Sequence, residues 1–176
     1  MTQPQSEMQG AGQAPRTKWP LIIGIISIAF ASLAIICTPA SLVMNRFNPQ
    51  SAEVFKGMPA WFDAYMTASC VVGVLMGIVL LAAGIMLVLR KPAARPLHLG
   101  YACLAVVVCL IGLAVSVLAF SGSGMEGPAK VGMYVGFACS VPLGLAYPIF
   151  LLIWFLRGSI AREVAGWRGG ALGNQG

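Results

Sequence analysis

The stretch from Tyr65 to Phe120 constrains the fold most, because it consists of two long apolar runs joined by the short basic turn Arg90 to Pro96. Each run is long enough to cross a bilayer, since a spanning helix needs about 20 apolar residues. The turn is too short to do more than reverse the chain. A turn with Arg and Lys and no acidic residue is typical of the cytoplasmic side of a membrane. This one assignment fixes the side on which every other loop lies.

Composition extends the same interpretation to the whole chain. Hydrophobic residues make up 59% of the sequence and charged residues 9%, whereas a soluble domain has about 25% charged residues. In a bilayer every backbone N–H and C=O needs a partner within the protein, which leaves helices or a closed barrel. The apolar runs are continuous rather than alternating, which favours helices. The predicted fold class is therefore all-α, an integral membrane four-helix bundle.

The bundle is expected to occupy residues 18–157, with spans at about 19–44, 64–89, 97–120 and 130–156. A polar segment, 1–17, precedes it as a disordered cytoplasmic tail, and an amphipathic and then disordered cytoplasmic tail, 158–176, follows it. The first span is predicted to remain uncleaved, because its apolar run continues past the length of a signal-peptide core and no small-residue cleavage site follows.

The distribution of basic residues predicts the orientation. With the basic turn inside, eight of the eleven Lys and Arg residues are cytoplasmic, and only Arg46, Lys56 and Lys130 are outside. An excess of this kind decides orientation, so both termini are predicted to be cytoplasmic. The predicted location is the cell membrane, specifically a bacterial inner membrane.

Two segments outside the spans show a helical apolar face and predict short interfacial helices. In the first outer loop this face consists of Val54, Met58 and Trp61, and a lid over a pocket is the alternative. In the C-terminal tail it consists of Ile160, Val164 and Trp167, with arginines nearby that suit anionic headgroups.

Small residues recur at steps of three and four along the spans, a spacing that lets helix backbones approach closely in lipid. The first span shows it from Ser27 to Ser41. The residues predicted to make helix contacts on the other spans are Gly73, Gly77, Ala105, Cys109, Gly112, Ser116, Gly132 and Gly136.

The fourth span is interrupted by Pro142 and Pro148, which free the carbonyls of Ala138 and Gly144 from the helix ladder. Freed carbonyls need other partners within the membrane. A candidate intramembrane pocket is therefore predicted at Ser140, Pro142, Gly144, Tyr147 and Pro148. The alternative is a kinked helix with a purely structural role.

The sequence contains no recognisable motif for catalysis, proton transport or metal binding. No Asp, Glu, Lys, Arg or His lies in the central part of a span, which disfavours proton-coupled transport. The single histidine, His98, is expected to be an interfacial polar residue at the cytoplasmic end of the third span. The five cysteines lie inside apolar runs without a Cys-x-x-Cys pair and are expected to pack, not to bind zinc. The sequence predicts no catalytic residues, no metal site and no bound cofactor.

The sequence therefore favours a multi-pass membrane protein that acts by helix–helix contact, as a structural, accessory or oligomeric component and not as an enzyme. Its expected partners are membrane lipids and either itself or another membrane protein. Nucleic acid is not expected, because the basic residues sit at span ends instead of forming a stripe with aromatics. The alternative is a carrier or channel for a neutral or lipid-like solute near Pro142 and Pro148.

Overall fold

The computed structural model describes residues 17–49, 58–121 and 128–170, apart from some side chains in the last range, and these residues are almost entirely helical. The helices are α1 (Trp19–Phe47), α2 (Trp61–Val88), α3 (Ala94–Ser121), α4 (Pro128–Leu156) and α5 (Gly158–Gly170). Of these, α1, α2 and α3 are long and apolar enough to cross a membrane. A fourth span is added if the segments Gly144–Leu156 and Gly158–Trp167, which meet at 73°, are counted as one. The prediction of an all-helical chain with membrane-spanning segments is confirmed at this level.

The helices extend beyond the predicted spans. Trp61 and Phe62 lie in the first turn of α2 and not in a separate interfacial helix. Asp63 also lies in that turn, where a carboxylate favours the helix N-terminus. Val54, the segment 1–16 and the last residues of the C-terminal tail lie outside the described residues.

The predicted basic turn reverses the chain, as expected, through a specific helix cap. Arg90 has a φ of 53°, in the left-handed region. Its N–H donates to Leu87 O at 3.1 Å, and the next N–H, of Lys91, donates to Met86 O at 2.8 Å. This pair of bonds is the Schellman motif, which usually has glycine at the left-handed position. Pro92 follows and prevents α2 from continuing.

The helix α2 packs against α1 on one side and α3 on the other, and α3 packs against α4. Glycines bring α1 and α2 very close. A Cβ atom placed on Gly84 would lie 3.1 Å from the carbonyl oxygen of Gly24, and one on Gly77 would lie 2.8 Å from Ile35 Cγ1. The two backbones are therefore in direct contact, which only residues without a side chain permit.

One end of the bundle, here called the inner end, carries the start of α1, the α2–α3 turn and α5. Leu87, Phe155, Ile160 and Val164 belong to a single buried core there. The C-terminal helix predicted from the sequence is present, but the expectation that its apolar face lies on headgroups is wrong. Ile160 and Val164 are buried against the protein, because α5 turns back across the inner end.

Candidate functional site

Three side chains from three helices meet near the inner end and form what is here called the polar cluster: Ser27 of α1, His98 of α3 and Tyr147 of α4. Ser27 Oγ lies 3.1 Å from His98 Nε2 and 2.6 Å from Tyr147 Oη. Ser27 and His98 have no exposed surface, and Tyr147 is half-buried. The cluster therefore connects α1, α3 and α4 by hydrogen bonds inside an otherwise apolar region.

Backbone carbonyls determine the proton positions in the cluster. His98 Nδ1 lies 2.8 Å from Ala94 O, and a carbonyl can only accept, so Nδ1 carries a hydrogen. In the neutral ring Nε2 is then an acceptor that faces the hydroxyl of Ser27. That hydroxyl has a second acceptor within reach, Ile23 O at 2.8 Å.

Aromatic rings hold the cluster in place. The His98 ring stacks on Phe155 with centroids 4.9 Å apart, and Tyr147 stacks on Phe30 with centroids 4.7 Å apart. Phe155 is fully buried. The rings cover one face of each polar side chain, and His98 has no exposed surface.

A second set of contacts, here called the inner cap, closes the inner end over Phe155. Trp19 Nε1 donates to Glu163 Oε2 at 2.8 Å, and Thr17 Oγ1 donates to the other carboxylate oxygen. The rings of Trp19 and Trp167 stack at 6.0 Å. These contacts fasten α5 to the start of α1.

The pairing of Ser27 with His98 resembles a nucleophile and its base, but the surroundings do not suit catalysis. In a catalytic triad a carboxylate orients the histidine, whereas here Ala94 O takes that position. Neither side chain is exposed to a substrate. The arrangement can join helices and hold a proton. No group of three His, Cys, Asp or Glu residues suited to a metal is found among the described residues.

The described residues of the predicted intramembrane pocket lie in different surroundings. Pro142 lines a cleft of about 330 Å³ between α3 and α4, together with Leu113, Ser116, Val117, Phe120, Tyr134, Ala138 and Val141. Tyr147 belongs to the polar cluster instead, Pro148 is buried and Gly144 faces open space. The side chain of Ser140 lies outside the described residues.

The residues predicted to make helix contacts also differ in whether a described neighbouring helix lies beside them. Gly73 and Gly77 lie against α1. A Cβ on Gly112 would lie 3.3 Å from Tyr65 Oη of α2. On α3, Ser116 is buried and Ala105 and Cys109 are half-buried. By contrast, Cβ atoms on Gly132 and Gly136 would meet no described atom within 4 Å.

His98 lies in the first turns of α3, at the end of the helix that the sequence predicted, but it is fully buried by the protein, which the interpretation as an interfacial polar residue did not predict. The helix α3 begins at Ala94, earlier than the predicted span, and α5 covers the inner end. A signal was present in the sequence. His98 lies two helical turns before Ala105, the first α3 residue predicted to make a helix contact, and one turn before the buried Ala102, and therefore on the same face.

Comparison with known proteins reveals no relative. No protein-family model matches the chain, and no curated protein or solved structure matches it either.

Proposed function

We propose that this protein is a multi-pass membrane protein with four spans and both termini in the cytoplasm. It acts by helix–helix contact, as a homo-oligomer or as an accessory subunit of a membrane complex, and performs no catalysis. The fourth span is α4, whose 29 residues extend about 43 Å at 1.5 Å per residue. The inner end is cytoplasmic because it carries the basic turn. Membrane lipids surround the exposed apolar residues of the spans.

One observation supports the contact function above the others, namely a glycine face on α4 that no described residue covers. A Cβ atom on Gly132, Gly136 or Gly144 would meet no described atom within 4 Å. The neighbouring side chains of Val131 and Val135 are exposed. In lipid such a face favours the close approach of another helix, which gains packing and does not lose backbone hydrogen bonds.

The comparison with α2 strengthens this proposal. Gly73 and Gly77 have the same spacing as Gly132 and Gly136, and in α2 the residues of α1 fill the space beside them. The face on α4 is open to a helix of a second copy or of another membrane protein.

Crosslinking in native membranes tests the contact function. A lysine-reactive crosslinker is expected to trap the tagged protein in dimers or in complexes with one discrete partner. Gly136→Leu should reduce the crosslinked fraction, since the leucine fills the space that a neighbouring helix needs. Gly100→Leu is the matched control, because Gly100 also meets nothing within 4 Å but lies on α3. A protein that remains monomeric and without a partner contradicts the proposal.

The second candidate, a carrier or channel for a neutral or lipid-like solute, is favoured by the cleft between α3 and α4. Its lining is almost wholly apolar, with Pro142 on one wall and the buried Ser116 on the other. The test is movement of a fluorescent phosphatidylcholine and of glycerol across liposomes that contain the protein. Movement that the pair Pro142→Ala and Pro148→Ala abolishes supports this candidate. Movement that survives both substitutions, or no movement above empty liposomes, removes it.

A further inference from the structure

The hydroxyl group of Ser27 has one hydrogen and two acceptors within reach. One acceptor is His98 Nε2 at 3.1 Å, and the other is Ile23 O at 2.8 Å. A hydroxyl also has two lone pairs, so Ser27 Oγ can accept hydrogen bonds while it donates one. Tyr147 Oη, at 2.6 Å, is placed to donate to it.

Two complete hydrogen-bond arrangements follow from these positions. When His98 is neutral, Tyr147 donates to Ser27, Ser27 donates to Nε2, and Nδ1–H donates to Ala94 O. When His98 is charged, Nε2–H donates to Ser27 Oγ, and the serine hydrogen turns to Ile23 O. Both ring nitrogens are paired in either state, so charging the ring leaves no donor or acceptor of His98 unsatisfied. The cost that remains is that of holding the charge away from water.

We infer that His98 is a proton-binding site inside the membrane domain, and that the Ser27 hydroxyl turns between His98 and Ile23 as the proton leaves and enters. The proton comes from water and binds the lone pair of Nε2. No bond between heavier atoms forms or breaks. The inference is independent of the proposed function, since it holds for a contact protein and for a carrier alike.

The groups around His98 are compatible with a proton but include no carboxylate that contacts the ring among the described residues. On its own helix the ionisable neighbours are Arg95, whose Nε donates to Phe155 O, and Tyr101. The helix α4 presents Tyr147 and the face of Phe155, which is suited to a cation. Among the described residues, α1 contributes the hydroxyl of Ser27, and α2 contributes apolar leucines to the surrounding core. On α5, the carboxylate of Glu163 accepts a hydrogen bond from Trp19.

Nitrogen NMR of the full chain in lipid nanodiscs tests the site. The chain contains one histidine, so ¹⁵N-histidine labelling gives signals from His98 alone. As the pH is lowered from about 8, through the range in which an exposed histidine titrates and below it, we expect the neutral Nδ1–H form to become doubly protonated. The near-UV circular dichroism of the tryptophans should not change over the same range. A neutral Nε2–H form, or protonation only together with loss of that signal, overturns the inference.

Two variants separate the proposed rotation from a general effect of mutation. Ser27→Ala removes the acceptor of the charged form, so the ratio of charged to neutral His98 should fall about fivefold at a given pH, because a bond to an ion is worth roughly 1 kcal/mol more than a neutral one. Tyr147→Phe is the matched control, since Tyr147 donates to Ser27 in both states, and it should leave the ratio almost unchanged. An equal effect of the two variants, or none from Ser27→Ala in a folded protein, overturns the inference.

Discussion

The two halves of the bundle pack in different ways. Between α1 and α2 the backbones touch, and glycines occupy the points of contact, as at Gly24 with Gly84. Between α3 and α4 a cleft of about 330 Å³ separates the helices, and the glycines of α4 face away from the rest of the described chain. The first pair has backbone contact at its glycines and a smaller cleft of about 150 Å³ at its outer end, between Thr38 and Cys70. The second pair has the larger cleft and a glycine face that no described residue covers.

This difference shows that spacing alone does not define a helix interface in lipid. The glycines of α2 and α4 follow the same step of four, yet among the described residues only those of α2 meet a neighbouring helix. A glycine stabilises a contact through the atoms that approach it, because dispersion forces act only over short distances. The residue opposite therefore matters as much as the glycine.

The largest expected effect is a loss of stability when a side chain is added to the α1–α2 interface. In Gly84→Ala the new Cβ would lie 3.0 Å from Ile28 Cγ1 and 3.1 Å from a backbone oxygen. Overpacking of this kind costs about 1–3 kcal/mol. The free energy of unfolding in mixed detergent measures it.

Gly100→Ala is the control for this prediction, because its Cβ would meet no described atom within 4 Å and Gly100 lies away from the proposed contact face of α4. Alanine favours a helix over glycine by about 1 kcal/mol, so this variant should be as stable as the wild type or more stable. Equal losses from Gly84→Ala and Gly100→Ala would show that the two halves do not differ in the way described.

The second effect concerns the polar cluster, which joins the two halves. Ser27→Ala removes the hydroxyl that bridges His98 and Tyr147, and Tyr147→Phe removes one of those partners. Hydrogen bonds between membrane helices are worth about 0.6 kcal/mol on average and up to about 1.7 kcal/mol. A double-mutant cycle of unfolding free energies should give a coupling in this range. A coupling near zero would mean that the aromatic stacking holds the halves together without the hydroxyls.

The sequence predicted the helices well and their neighbours poorly. Apolar runs and basic ends are local properties, so the ends of the four long helices could be placed to within a few residues. In the α1 series from Ser27 to Ser41, Ser27 and Ala31 are buried, whereas Ser41 is exposed. Which helix faces which is not a local property. The burial of His98, the contact of Gly24 with Gly84 and the position of Tyr147 outside the α3–α4 cleft all depend on it.

A smaller effect is expected at the inner cap, which fastens α5 to the tightly packed half. Glu163→Gln keeps the shape of the side chain but removes the charge that accepts from Trp19 and Thr17. A charge-assisted bond is about twice as strong as a neutral one, so we expect a loss of about 1 kcal/mol. Hydrogen exchange should increase in Gly158–Gly170 and not in α2. Faster exchange throughout the bundle would instead indicate that the cap stabilises both halves.

The smallest effect is expected at the outer end of the α1–α2 pair, where Arg46 Nη2 lies 3.1 Å from both carboxylate oxygens of Asp63. The two side chains are 55% and 76% exposed, and exposed ion pairs contribute about 0–1 kcal/mol and weaken in salt. A double-mutant cycle with Arg46→Gln and Asp63→Asn should therefore give a coupling well below the cost of Gly84→Ala. If the order were reversed, the ion pair and not the glycines would hold α1 against α2. The close backbone approach at Gly24 and Gly84 would then be a consequence of the helix pairing and not its cause.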